Sequence, residues 1–121
     1  MAAWSSEEDI IILYFSSRHI RCTTTVELLN RRGYTRSAAA VYSRLATLQK
    51  WHPQLKFKRE FNIHSINSFL YTLLPPNDVK MLILLTPEDA SIICQSHDRA
   101  QFIEILILLG QSAKILKGAR P

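Results

Sequence analysis

Apolar residues recur along the chain in blocks whose spacing is helical. Ile10, Ile11, Ile12, Leu13 and Phe15 follow the acids Glu7, Glu8 and Asp9. Ser5-x-x-Glu8 fits a capping box that sets negative charge at the positive end of a helix, which predicts helix one over 6–17. Thr24-x-x-Glu27 repeats the signature before Val26, Leu28 and Leu29, and Gly33 supplies a left-handed stop. Helix two is therefore expected over 25–32. Arg36 to Lys50 holds no Gly or Pro and places Ala38, Val41, Leu45 and Leu48 on one stripe, which predicts helix three.

The pattern continues past a break at Trp51-His52-Pro53-Gln54. Ile66, Phe69, Leu70, Leu73 and Leu74 share one side of a helix over 65–74, stopped by Pro75-Pro76. Asn77 or Asp78 caps a helix over 79–85, and Thr86-Pro87-Glu88-Asp89 restarts another that ends near Ser96-His97. Asp98 caps the last helix. Its run from Phe102 to Leu109 is apolar on every side except Glu104, and such a helix must be enclosed. Helix one raises the same problem, because a core using Trp4, Ile12 and Phe15 leaves Ile10, Ile11 and Tyr14 surplus. These surfaces are expected to pack on each other or on a second copy. Ile10, Ile11, Tyr14, Phe102, Ile103, Ile105, Leu106 and Leu109 are accordingly assigned to oligomerisation, with a homodimer or other homo-oligomer as the expected state.

Composition narrows the class. With 121 residues, 47% hydrophobic and 21% charged, the chain has the profile of folded protein and not of a disordered one. Its longest apolar runs, such as Ile10 to Phe15, fall far below the roughly 18 residues a membrane span needs, so no membrane partner is expected. The first residues carry neither the basic region nor the apolar stretch of a secretion signal, which points to an intracellular chain. Cys22 and Cys94 lie in no metal-ligand spacing and are expected as free thiols. With only three glycines, no phosphate-cradling Gly-rich loop can form. No metal, cofactor or catalytic activity is expected. Ser96-His97-Asp98 holds three catalytic residue types in a row, but neighbours in sequence diverge in space, and a helix end followed by a cap explains them.

Charge gives the strongest functional signal. The net charge of +5 sits in the first half. Between Arg18 and Arg59 stand ten basic residues against Glu27 alone, a candidate polyanion surface. Three short helices with a tight turn before the third and basic residues around it describe a helix-turn-helix unit. Trp4-Ser5-Ser6-Glu7-Glu8-Asp9, with Leu29, Arg36-Ser37-Ala38-Ala39-Ala40-Val41 and Arg44-Leu45, resembles the Myb/SANT-like family, over about residues 4–48. Of the bulky core positions usual in such repeats, only Trp4 keeps its tryptophan; Leu45 stands at the third. The resemblance implies Trp4 and Leu45 in the core and a Glu8–Arg44 pair across helices one and three. It also implies a nuclear, chromatin-associated regulator of transcription.

The resulting expectation is an all-α chain in three parts. A three-helix Myb/SANT-like unit over 1–51 is followed by a basic and aromatic connector over 52–61 and a helical oligomerisation region over 62–121. The partner would be double-stranded DNA, with helix three in the major groove. Arg36, Ala39, Ala40, Ser43, Thr47 and Lys50 face away from the core stripe of that helix, and Tyr42 lies on its flank. In the resemblance the base-reading positions fall on Tyr42 and Ser43, neither of which makes the bidentate contacts of Arg, Lys, Asn or Gln. Small side chains would let the helix sit deep, and Arg31, Arg32, Lys56, Lys58 and Arg59 would add affinity through phosphates. The other reading of the same face is a close-packing surface, as in SANT-type adaptors that bind a chromatin protein and not DNA.

Overall fold

The computed structural model describes residues 3–110, and these are all-helical but for one minimal hairpin. Helix α1 spans Ser6–Ser17, α2 Cys22–Arg31 and α3 Ala38–Trp51. A 3-10 turn at Pro53–Leu55 leads into β1 (Lys56–Phe57) and β2 (Glu60–Phe61), which pair antiparallel with Lys56 opposite Phe61. Four helices follow: α4 (Ile63–Leu73), α5 (Pro76–Ile83), α6 (Pro87–Ser96) and α7 (Arg99–Leu108). Residues 111–121, placed by the sequence pattern at the end of the assembly region, lie outside the described residues.

Local chemistry sets most helix ends where the sequence signals them. The Ser5 hydroxyl accepts from the Glu8 N–H and the Glu8 carboxylate accepts from the Ser5 N–H, both at 3.2 Å, which closes the box that opens α1. Thr86 with Asp89 and Asp98 with Gln101 make the same reciprocal cap for α6 and α7. Gly33 takes φ +93° after α2, a left-handed conformation that costs glycine nothing. Four starts differ from expectation. Helix α2 begins at Cys22, three residues before the expected start at Thr25, because Thr24 and Thr25 lie inside the helix, the Thr25 hydroxyl donating to the Arg21 carbonyl. Helix α3 begins at Ala38, capped by Ser37, because Arg36 is drawn away to Glu8. Helix α4 begins at Ile63, two residues before the expected start at Ser65, because Asn62 caps it, its Oδ1 accepting from the Ser65 N–H. Helix α5 begins at Pro76, which needs no N–H partner in a first turn.

Helix α1 is the centre of the fold. Ile10, Ile11, Ile12, Leu13 and Phe15 are all fully buried, so α1 is enclosed on every side. It packs most extensively on α5, nearly as much on α2 and α4, and less on α3. One buried cluster therefore takes residues from both sides of the 52–61 connector, including Val41 and Leu48 from α3, Ile66 and Leu70 from α4, and Val79 from α5. This corrects the assignment of Ile10 and Ile11 to oligomerisation: helices later in the same chain cover them. Ile105, Leu106 and Leu109 are likewise buried within the chain, while Tyr14, Phe102 and Ile103 are half-buried. Helix α7 is not wholly enclosed, because Ile107 remains 59% exposed.

Candidate nucleic-acid interface

Helix α3 divides as its sequence stripe requires. Val41, Leu45 and Leu48 are buried, whereas Ala39, Tyr42, Ser43, Ala46 and Lys50 are exposed and Ala40 and Thr47 half-buried. Thr47 donates its hydroxyl to the Ser43 carbonyl one turn back, leaving mainly its methyl to offer a partner. No acidic side chain stands on α3. Trp51 closes the helix with 60% of its surface exposed and carries the Arg44 guanidinium 5.1 Å from its ring centroid.

The hairpin follows α3 in the chain, with Phe61 beside the Tyr42 and Gln49 flank of that helix. Lys56, Lys58, Arg59 and Glu60 are exposed around a two-residue turn. Lys58 adopts φ +58°, a left-handed conformation that costs a residue with a Cβ roughly 1–2 kcal/mol. Lys50 stands on the last turn of α3, and Lys56, Lys58 and Arg59 stand on the hairpin that follows it in the chain.

Several arginines expected on phosphates hold the fold together instead. Arg36 grips Glu8 with two nitrogens, donates to the Ala3 carbonyl at 2.9 Å and lies 4.2 Å from the Trp4 ring centroid. Arg44 makes a bidentate pair with Asp9, both bonds at 2.9 Å. The expected Glu8–Arg44 pair is thereby corrected: Glu8 holds Arg36, and Asp9 holds Arg44. These bonds depress the Glu8 carboxyl below its ordinary value, Arg36 being the main cause, and raise both guanidinium groups.

Arg31 and Arg32 turn toward α6. Arg32 donates from Nε to the Leu82 carbonyl (2.7 Å) and from Nη1 to Leu28 O and Asp89 Oδ1, each at 3.0 Å. Its Nη2 donates to Leu84 O (3.0 Å) and Asp89 Oδ2 (2.7 Å). All five donors of the guanidinium are thus used, tying α2 to the end of α5 and the start of α6. Arg31 adds a 3.3 Å contact to Asp89. Burial alone would raise the Asp89 carboxyl, but Arg32 and the Thr86 cap outweigh it and bring it below its ordinary value. Arg31, Arg32 and Arg36 are therefore anchored to acids within the chain.

Sequence reasoning missed several of these partners. Asp9 sits beside Glu8 in the same acidic triplet, and only helical phase separates their roles. Arg18 is buried, donates to Asn67 Oδ1 at 2.7 Å and lies 4.0 Å from the Tyr14 ring centroid; burial lowers its pKa. His97 is buried between the Ile93 carbonyl and the Arg21 N–H, while Ser96 bonds back to Ile92 and Asp98 caps α7. Each residue of that Ser-His-Asp run is committed to a helix end. Cys22 and Cys94 are both free thiols, half-buried and exposed respectively. Among the described residues, no three His, Cys, Asp or Glu side chains are placed to share a metal ion, and no helix is long and apolar enough to cross a membrane.

Comparison with protein-family models, with curated proteins and with solved structures returns no match. The functional reading therefore stands on the residues of this chain.

Proposed function

We propose that the chain is a double-stranded DNA-binding module, Myb/SANT-like over its first three helices, acting in the nucleus as a regulator of transcription or chromatin. The observation that carries this reading is the α3 surface. Apart from Tyr42 on its flank, its solvent side is small and free of acids, and exposed Lys50, Lys56, Lys58 and Arg59 follow it in the chain. Small residues admit a helix to the major groove, and cations beyond its end suit the flanking phosphates. Ala39, Ala40, Tyr42, Ser43 and Thr47 then face the bases. None of them makes a bidentate base contact, so affinity derives mainly from phosphates and sequence preference is weak.

The test is fluorescence anisotropy of the purified chain with a labelled random-sequence duplex at about 50 and 200 mM salt. Three to four phosphate contacts give a salt slope near −3, so affinity should fall roughly 40- to 150-fold between the two conditions. The adaptor reading is favoured by the exposed Tyr42 and Trp51 rings, 72% and 60% accessible, since aromatic side chains are enriched where proteins dock. Absence of binding at the lower salt would decide for that reading and for a chromatin protein as partner.

A further inference from the structure

A recess of about 260 Å³ opens beside α3, on the flank where the helix meets the hairpin. Tyr42 and Phe61 line it with aromatic rings and Leu45 with aliphatic surface; the Ser16 hydroxyl there is shared with Thr25 and the Cys22 thiol donates to the Ala38 carbonyl, so the Gln49 amide is the main group offered to a base edge. None of its lining residues carries a full charge. Its volume falls below the roughly 300–1,000 Å³ of drug-sized sites and suits one flat group of one or two rings. Cations border it. Phe61 is the cross-strand partner of Lys56, so the two side chains share one face of the ladder, and Lys50 follows Gln49 on α3.

Neutral aromatic walls with hydrogen-bonding groups, set beside cations, complement a nucleotide: the base stacks and pairs its edge within, and the phosphate lies outside. We propose that the recess takes one unpaired nucleobase of a nucleic-acid strand whose phosphates lie on Lys50 and Lys56. This rests on the DNA-binding reading and narrows it to duplexes that offer an unpaired base, as at a bulge or mismatch. A paired base must first be unstacked, whereas a bulged one is already available. Stacking on an aromatic ring then favours the bulged duplex by roughly tenfold or more.

The experiment uses the full chain and two labelled duplexes of one sequence, fully paired or carrying a single bulged 2-aminopurine. Anisotropy at about 50 mM salt gives the two affinities. Iodoacetamide labelling, followed by mass spectrometry, reads Cys22 inside the recess, with exposed Cys94 as the internal control. The expected result is roughly tenfold tighter binding of the bulged duplex, altered 2-aminopurine emission, and protection of Cys22 with Cys94 still reactive. Gln49→Phe, which puts a ring at the recess, should bring the ratio of the two affinities toward one. If that variant does not fold, Cys22 protection in the unsubstituted chain decides. Equal affinities with Cys22 unprotected would overturn the recess proposal and leave DNA binding standing. Binding to neither duplex would overturn both. Protection by free adenosine 5′-monophosphate, with none by the bulged duplex, would overturn the strand proposal in favour of a free-nucleotide site.

Discussion

Glu8 and Asp9 are neighbours in sequence, yet they hold different arginines. A step of 100° around α1 separates them: Glu8, engaged with the Ser5 cap, meets Arg36 before α3 begins, and Asp9 meets Arg44 two turns into it. The acidic triplet and the basic residues were legible as a helix-one to helix-three link, but pattern alone does not give helical phase to within one residue. Arg32 was less legible still, because its partners Leu82, Leu84 and Asp89 lie 50, 52 and 57 residues away. Replacing it with Ala leaves the buried Asp89 carboxylate with only Arg31 and the Thr86 N–H and strands three carbonyls, which should cost up to about 3–5 kcal/mol, visible as a shift of the urea midpoint. Arg32→Lys should recover only part of this, since an ammonium has three donors and cannot form the planar fork. Glu8 and Asp89 also set the acid limit of stability. Both carboxyl pKa values are depressed in the fold, so their contribution is complete above the unfolded values near pH 4 and is lost as pH falls through the folded ones. Thermal melting should be insensitive to these groups from about pH 7 to 5 and weaken below about pH 4. In Glu8→Gln the acid limb should be shallower and neutral-pH stability lower.

At the scale of elements, α3 and the hairpin separate two kinds of cation that the sequence presents as one run. Arg36 and Arg44 are fixed to acids of α1, whereas Lys50, Lys56 and Arg59 are exposed. The two groups should respond differently to charge reversal. The triple variant Lys50→Glu, Lys56→Glu and Arg59→Glu is expected to abolish duplex binding in anisotropy with little change in melting temperature, because exposed charges contribute about 1 kcal/mol or less to stability. Arg36→Glu should instead lower the melting temperature sharply, since it sets a second acid against Glu8 beside the Trp4 ring. A duplex affinity unaffected by the triple variant would remove the phosphate role of the hairpin. The sequence showed this segment as alternating basic and aromatic residues; strands of two residues are too short for a period-two signal to be told from a loop. Helix α3 itself was legible because a fourteen-residue helix repeats its buried stripe across several turns.

At the scale of the molecule, the apolar surplus of α1 decides the architecture. Periodicity showed that Ile10 and Ile11 exceeded what a three-helix unit could cover, but it could not say whether a second copy or the same chain would cover them. The choice rests on the connector: the 3-10 turn and hairpin reverse the chain so that α4 and α5 return to α1. Residues on both sides of residue 61 then share one core. Arg32, bonded to Leu82, Leu84 and Asp89, and Arg18, bonded to Asn67, add polar links across the same division. A truncated chain of residues 1–51 should therefore fail to fold as a cooperative unit, because it would leave Ile10, Ile11 and Leu13 without the helices that bury them. Each such side chain exposed forfeits about 1.5–3 kcal/mol, and a few of them exhaust the roughly 5–15 kcal/mol of net stability typical of a domain. Circular dichroism melting is the direct check. The full chain should give a sigmoidal transition, and the truncated one a broad, non-cooperative loss of helix. A sharp transition in the truncated chain would instead establish the first three helices as an independent domain, with α4 to α7 as a separable addition.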